Sequence, residues 1–271
     1  MEYFVLALRR GSEMDDLPAP ETRDWSQLPL DALSLVFAKL GAVEILMGVG
    51  LVCHSWLEAA KVPDAWRCVQ IARHEIVMGW PRTKKHLLRA MAKVAVDRSD
   101  GRLEVFEGAR FVDDELLKYI GARSQSLKSI TLFCCPSVSS AGLTELMRNC
   151  PLLEDLNLIY GCSSCVGANL FEAIREACPR LACIVIRTEE DLDWNLLVEI
   201  ATLQQLRRLT LGGFDFSCEQ LTAIVDGCPR LEFLDVRYCC CRQMLAGNGA
   251  LRANCARIKT LRLPPYIDDY Y

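Results

Sequence analysis

The sequence predicts an α/β protein in which three short N-terminal helices precede a short, curved solenoid whose repeats each hold one strand and one helix. Two observations carry this prediction. An apolar phrase recurs at a nearly constant interval through the second half of the chain, and a dense apolar block at residues 25–66 precedes it. The composition agrees, because 51% of the 271 residues are hydrophobic, which is enough for a core of ordinary size.

The recurring phrase is apolar-x-x-apolar-x-apolar, and its six clear copies begin at Leu127, Leu153, Leu181, Leu206, Leu231 and Ile258. Intervals of 25 to 28 residues are typical of leucine-rich repeats, in which each turn adds one strand to a continuous sheet. A weaker seventh copy, Leu103-x-Val105, precedes them. We therefore expect leucine-rich repeats over residues 100–263, and such solenoids usually serve recognition.

Helical stretches are expected between the strands, near residues 113–122, 140–149, 168–177, 193–201, 218–227 and 243–254. Ser217 and Gln220 have the spacing of a capping box at the start of one of them. A helix within residues 67–99, with Leu87, Leu88, Met91, Val94 and Ala95 on one face, is expected to cover the first repeat.

The two ends of the chain differ in composition from the rest. Residues 1–24 carry two prolines and several acidic residues, which predicts a flexible leader. Residues 264–271 form an acidic, aromatic tail that is expected to fold over the edge of the last strand.

Fifteen cysteines are present, and four of them share one repeat position, three residues before the first apolar residue of the phrase. We name these four the cysteine ladder: Cys150, Cys178, Cys228 and Cys255. A buried free cysteine behaves as a small hydrophobic residue. The ladder is therefore expected to consist of reduced structural thiols, as in a cytosolic or nuclear protein.

Charge and hydropathy limit the partners. With 31 basic and 35 acidic residues the net charge is −4, so a nucleic acid is not an expected partner. No apolar stretch approaches the roughly 18 residues of a membrane helix. The short apolar run at residues 3–8 is followed, not preceded, by arginines, unlike a signal peptide. We expect a cytoplasmic or nuclear protein, or one found in both, without membrane contact.

Catalytic and metal sites are not expected. The only histidines are His54, His74 and His86, and adjacent helical residues such as Cys53 and His54 do not face each other. Cys162 and Cys165 have metal-ligand spacing, but zinc sites usually need a second pair. The nearest candidates, in the run 239–241, lie three repeats away. The sequence therefore predicts a non-catalytic protein without metal or cofactor.

Side chains alternate across a strand, so residues between the apolar positions should face the concave side of the sheet. Arginine and aromatic residues are enriched at binding hot spots. The expected contact residues on this face are Phe133, Asp155, Asn157, Arg187, Arg208, Phe233, Asp235, Arg237 and Arg262.

The N-terminal block predicts three short helices, with Pro29 in the first turn of the first and Gly41 at its end. Val49, Val52, Cys53 and Trp56 would form a stripe on the third helix. A block of about 40 residues is too small to bury all its apolar faces. A partner for this block is therefore expected.

The block resembles the F-box, a match carried by Leu28-Pro29, Asp31, Leu33, Val36, Leu40, Val52-Cys53, Trp56 and Trp66. With the repeats that follow, the chain is similar to F-box/leucine-rich-repeat proteins, particularly short plant members. One departure is the glycine-rich stretch at residues 48–50, where family members often carry bulkier polar residues, and it leaves a helix boundary open.

The resemblance implies a substrate-recognition subunit of a Skp–cullin–F-box ubiquitin ligase. The F-box would dock on a Skp-family adaptor, and through it on cullin and RING subunits. The repeats would bind a protein substrate, and the chain itself would be non-catalytic and monomeric outside the complex. The implied adaptor-binding residues, some of which must instead be internal core, are Leu28, Pro29, Leu33, Val36, Leu40, Val49, Leu51, Val52 and Trp56.

Two other functions are compatible with the same residues. A repeat scaffold or inhibitor without any ligase could also use the apolar block for docking. A small-ligand receptor is less favoured, because six or seven repeats form an open arc rather than an enclosed pocket.

Overall fold

The computed structural model describes residues 24–72, 84–161, 165–189, 199–241 and 253–264. Helices in these ranges are α1 (Leu30–Leu40), α2 (Ala42–Met47), α3 (His54–Ala59), α4 (Lys85–Arg98), α5 (Asp114–Arg123), α6 (Ser140–Asn149), α7 (Ala168–Ala177) and α8 (Cys218–Gly227). The strands are β1 (Cys68–Gln70), β2 (Val105–Ala109), β3 (Ser129–Phe133), β4 (Asp155–Ile159), β5 (Cys183–Arg187), β6 (Arg208–Phe216), β7 (Phe233–Cys241) and β8 (Thr260–Arg262).

The strands form one parallel sheet in the order of the sequence, from β1 to β8. Each strand pairs with the next, and equivalent positions of the repeats face each other, as in the pairing of Ile130 with Leu156 and of Leu156 with Ile184. The fold class predicted from the sequence, helices followed by a strand-and-helix solenoid, is confirmed.

The start of the sheet differs from the sequence prediction in two ways. β1 lies inside the segment expected to be a connector, and buried Val69 anchors it. In the weak first copy, Val105 pairs with Ser129 on the concave side, whereas Phe106 pairs with Ile130 and is fully buried. The correct phrase is therefore Leu103-x-x-Phe106-x-Gly108. Gly108 stands where the phrase has an apolar residue, and a Cβ there would overlap Cγ2 of Val112 and lie 2.9 Å from the Phe106 ring.

The helices of the repeats follow the expected positions. α6, α7 and α8 have the predicted bounds, and α5 begins one residue later than expected. The capping box at Ser217 and Gln220 is present, with both reciprocal hydrogen bonds formed. The other two expected helices lie largely outside the described residues, and so do the leader to residue 23 and the tail from residue 265.

The core is continuous from the helical block into the solenoid. Trp66 is fully buried, and its Nε1 donates to the carbonyl oxygen of Ala60 at 2.9 Å. α4 covers the first repeat, as expected, but its buried face is rotated relative to the prediction. Leu88, Ala92, Ala95 and Val96 are buried, whereas Leu87 and Val94 are exposed.

The third helix of the block is shorter than the sequence suggested. Val49–Leu51 forms a 3-10 turn, Cys53 is extended at φ −162°, and α3 starts only at His54. The expected stripe of Val49, Val52, Cys53 and Trp56 on one helix is therefore wrong. Gly48 precedes the turn and Gly50 is its central residue, and glycine disfavours a continuous helix.

The cysteine ladder packs between successive repeats. Cys178 Sγ donates to the carbonyl oxygen of Met147 at 3.3 Å, and Cys228 Sγ donates to that of Ile200 at 3.4 Å. Burial raises the pKa of Cys150 and Cys178 to about 12 and that of Cys228 to about 11. These thiols are protonated at neutral pH and act as packing groups.

Candidate protein-interaction surfaces

The N-terminal block exposes an unusual amount of apolar side chain. Among the described residues, eight of the twelve exposed large apolar side chains lie between residues 25 and 52: Trp25, Leu30, Leu35, Val36, Leu40, Met47, Leu51 and Val52. Eight of the eleven residues of α1 are apolar, but only Leu33 and Phe37 are buried, and the four exposed large apolar side chains are Leu30, Leu35, Val36 and Leu40. A helix that is apolar on most sides is normally covered on most sides. We call these eight residues the apolar surface.

The structure divides the adaptor-binding residues inferred from the sequence. Pro29, Val36, Leu40, Leu51 and Val52 are exposed, with Leu51 the most exposed at 86%. Leu33 and Val49 are internal, with only 1% and 6% of their surface exposed, and they support the exposed residues from inside the core.

Leu28 and Trp56 are half-buried and pack against the core. The Trp56 ring meets Phe37 edge-on at 5.6 Å, and its Nε1 donates to the carbonyl oxygen of Trp25 at 3.0 Å. Ser55 Oγ donates to the carbonyl oxygen of Ser26 at 2.8 Å. Trp56 therefore ties the first turn of the block to α3.

Sequence reasoning missed Trp25, Leu30, Leu35 and Met47 as members of the apolar surface. All four are apolar residues beside positions that the motif does name. They belong to the surface because their side chains are exposed, and exposure cannot be inferred from an apolar residue type alone.

The second surface is the concave face of the sheet, where residues of like position form three rows across the strands. The first row holds Cys68, Val105, Ser129, Asp155, Cys183, Arg208, Phe233 and Thr260. The second holds Gln70, Glu107, Thr131, Asn157, Val185, Thr210, Asp235 and Arg262. The third holds Ala109, Phe133, Ile159, Arg187, Gly212 and Tyr238.

On β1 to β4 these rows carry amides, hydroxyls and acids. Gln70 Nε2 donates to Glu107 Oε1, and Asn157 Nδ2 donates to Thr131 Oγ1, each at 3.1 Å. Asp155 is half-buried. Phe133, which the sequence placed on this face, lies half-buried at the end of β3.

On β5 to β8 the same face carries arginines and rings, and we call this group the arginine cluster: Arg187, Arg208, Arg237, Arg262, Phe233 and Tyr238. The guanidinium groups of Arg208 and Arg262 lie 5.5 Å and 5.4 Å from the centre of the Phe233 ring. Those of Arg187 and Arg237 lie 5.1 Å and 5.6 Å from the centre of the Tyr238 ring. These distances are within the range of cation–π contacts.

Asp235 lies beneath the cluster with only 4% of its side chain exposed. Arg237 binds its two carboxylate oxygens at 3.0 and 2.8 Å, and Arg262 approaches one of them at 3.5 Å. The hydrogen bond from the Arg237 side chain lowers the pKa of Asp235 below its ordinary value of 3.8. Asp235, expected to contact a partner, is therefore placed to hold two arginines in position.

Tyr238 takes the row position that simple alternation assigned to Arg237. The register between β6 and β7 shifts after Thr210, so that Gly212 pairs with Tyr238. A second irregularity follows between Gly212 and Asp215, where Gly213 has a φ of +83° and a Cβ would overlap the carbonyl oxygen of Thr188. The paired glycines inside a strand are the sequence signal for such a bulge.

Comparison with known proteins also separates the N-terminal helical block from the repeats that follow it. Residues 25–68 match the F-box domain family. F-box protein SKIP19 of Arabidopsis thaliana is 34% identical over 81% of this chain and 70% of its own length. F-box/LRR-repeat protein 9 of the same plant is 30% identical over 81% of this chain and 89% of its own length. The chain belongs to the F-box/LRR-repeat family.

Not all relatives have the same length. The chain spans 59% of F-box/LRR-repeat protein 23 of Arabidopsis thaliana, to which it is 32% identical over 96% of its own length. Among solved structures, the leucine-rich-repeat protein LegL7 of Legionella pneumophila covers 86% of this chain and 87% of its own at 10% identity, with a TM-score of 0.39. That likeness is weak, and the repeat architecture rests on the strand register.

Within the described ranges, this F-box/LRR-repeat chain has no cluster of three or more His, Cys, Asp or Glu side chains placed to hold a metal. Cys165 is buried and donates to the carbonyl oxygen of Val138 at 3.2 Å. Cys162, the other residue of the spaced pair, and His74 lie outside the described residues.

The longest helix in the described part of the chain, α4, has 14 residues. No single helix there is long and apolar enough to cross a bilayer. One pair, Leu30–Leu40 with Ala42–Leu51, meets the criteria of length and composition together, but is bent by 116°.

Proposed function

We propose that the chain is the substrate-recognition subunit of a Skp–cullin–F-box ubiquitin ligase. Its F-box would bind a Skp-family adaptor through the apolar surface, and its repeats would bind a protein target. The observation that carries the proposal is the concentration of exposed large apolar side chains in the segment that matches the F-box domain. F-box domains generally bind Skp-family adaptors, which supports this choice of partner.

The energetics favour a docking role. Complete burial of one leucine- or valine-sized side chain contributes about 1.5–3 kcal/mol. Association costs an estimated 4–15 kcal/mol in lost freedom of motion. Burial of several members of the apolar surface would therefore offset that cost, whereas burial of a single one would not.

The proposed role requires no bond chemistry on this chain. A target held on the solenoid would be kept near a ubiquitin-loaded enzyme elsewhere in the ligase, and tethering raises the effective concentration of its lysines. Cullin and RING subunits would be recruited through the adaptor. We place this activity in the cytoplasm, the nucleus or both, with the free chain a monomer.

The test is co-purification of the full chain with a Skp-family adaptor, comparing wild type with Leu51→Asp. Leu51 is 86% exposed, so the variant should fold. A charge carried into an apolar interface is strongly unfavourable, so binding should be lost. Leu28 and Trp56 are poorer choices, because both pack against the core.

The matched control is Leu87→Asp, which makes the same change at an exposed leucine of α4 outside the F-box match. It should bind the adaptor like wild type. If wild type folds but does not bind, the ligase role fails, and a scaffold or inhibitor without a ligase becomes the better account.

A further inference from the structure

The concave face is divided by charge along the solenoid. On β1 to β4 its rows contain the carboxylates Glu107 and Asp155 and no basic residue. On β5 to β8 the arginine cluster brings four guanidinium groups around a single carboxylate, that of Asp235. The C-terminal half of the face is therefore locally cationic on a chain whose net charge is −4.

Two of the four arginines remain available for a ligand. Arg237 and Arg262 are engaged with Asp235. Arg187 and Arg208 form no ion pair with any described residue, and their guanidinium groups lie over the rings of Tyr238 and Phe233 respectively. Arg187 Nε is also buried without a hydrogen-bond acceptor. A buried donor without a partner is costly, so a shift of the Arg187 side chain that brought this group to an acceptor would be favourable.

The rings orient these groups. A guanidinium stacked on an aromatic face keeps its N–H edges free for planar, paired hydrogen bonds, which suit a carboxylate. Tyr238 is 61% exposed and adds apolar contact area beside the charges. The concave face of β5 to β8 therefore presents guanidinium groups that are held by aromatic rings, beside an exposed tyrosine.

Resting on the proposed function, we infer that the arginine cluster binds an acidic segment of the target protein, with side-chain carboxylates against Arg187 and Arg208. A polypeptide suits the site better than a nucleic acid. The carboxylates on β1 to β4 would repel a continuous anionic backbone crossing the face, whereas an acidic protein segment can carry its charge over the C-terminal half alone.

The test measures fluorescence anisotropy of a labelled peptide in which Glu alternates with Gly, titrated with the full chain. Peptides with Gln or phosphoserine in place of Glu are run beside it. Arg187→Gln and Arg208→Gln are the informative variants, because neither leaves Asp235 without its partners. Arg148→Gln, at an exposed arginine of α6, removes the same charge elsewhere.

Wild type should bind the Glu peptide and not the Gln peptide. Each informative variant should weaken binding at least tenfold, because a charged hydrogen bond contributes about 1.5–3 kcal/mol and tenfold corresponds to about 1.4 kcal/mol. Arg148→Gln should bind like wild type. Absence of Glu-peptide binding, equal binding of the Gln peptide, or unchanged binding by both informative variants would overturn the inference.

Two further outcomes would also overturn it. Binding of the phosphoserine peptide alone would assign the cluster to phosphate. Binding that appears only after deletion of residues 265–271 would assign it to the chain's own acidic tail. Adaptor binding by Arg187→Gln and Arg208→Gln is measured in parallel and should be unaffected. A negative peptide result with intact adaptor binding therefore refutes this inference while leaving the proposed function standing.

Discussion

One leucine of the F-box is buried and another is exposed, so the same substitution to alanine should have different effects at the two positions. Leu33 is 1% exposed and Leu51 is 86% exposed, although both match positions expected for adaptor binding. Leu33→Ala removes buried methyl groups and leaves a cavity, so the free energy of unfolding should fall by about 2–5 kcal/mol. Leu51→Ala should change it by no more than about 0.5 kcal/mol.

Adaptor affinity should change in the opposite order. If Leu51 becomes fully buried on docking, its truncation removes about 1.5–3 kcal/mol, which is about a 10- to 100-fold loss of affinity. Leu33→Ala should keep most of its affinity wherever it remains folded, because its side chain lies beneath the surface.

Urea unfolding gives the stabilities, with the slope against denaturant compared between variants. Calorimetric titration with the adaptor gives the affinities. Leu87→Ala, at an exposed leucine outside the F-box match, should change neither quantity. Equal destabilisation by Leu33→Ala and Leu51→Ala, or a greater loss of affinity in folded Leu33→Ala than in Leu51→Ala, would refute the reasoning.

Three other predictions concern the solenoid and the F-box turn. The cysteine ladder should resist thiol reagents at mildly alkaline pH until the chain is unfolded, because its thiols are buried with raised pKa values. Cys53, whose pKa is lowered by a hydrogen bond with Ser55, should be labelled before the ladder; mass-spectrometric mapping that finds ladder residues labelled equally fast would contradict this. The depressed pKa of Asp235 means that its contribution to stability is present above its ordinary value of 3.8 and is lost as pH falls through the folded value, so Asp235→Asn should flatten the acid limb of a stability profile. Gly213→Ala should destabilise the fold by at least about 1 kcal/mol, because φ is positive there and the new Cβ would meet a backbone oxygen at 2.0 Å. Gly48→Ala, where the nearest atom is 3.5 Å away, should cost less in the same unfolding assay, and equal effects of the two would disprove the assigned strain.

Much of the repeat architecture could be predicted because the periodic phrase fixes register directly. Copies at Leu127, Leu153 and Leu181 align in the sheet as they align in the sequence, and the caps at residues 139 and 217 start helices where expected. The first repeat was misaligned because its last apolar position is Gly108, where buried Val112 and Phe106 leave no room for a side chain, so the phrase is incomplete in the sequence.

The candidate surfaces could be predicted only in part. Leu33 and Leu51 are the same residue type in one motif, but Leu33 lies on the inner face of α1 and is buried, whereas Leu51 ends the turn Val49–Leu51 and is exposed. Tyr238 joined the concave rows because a bulge shifted β7, which strict alternation cannot anticipate. Asp235 looked like a contact residue, but its burial under Arg237 gives it a positioning role instead.

The central claim is that the apolar surface of the F-box is the docking site for a Skp-family adaptor. Hydrogen exchange of the full chain, alone and with the adaptor, tests it most directly. The account predicts that amides of α1 and of the turn Val49–Leu51 gain protection in the complex while those of β3 to β5 do not change. No added protection in residues 25–52, or protection confined to the repeats, would contradict it.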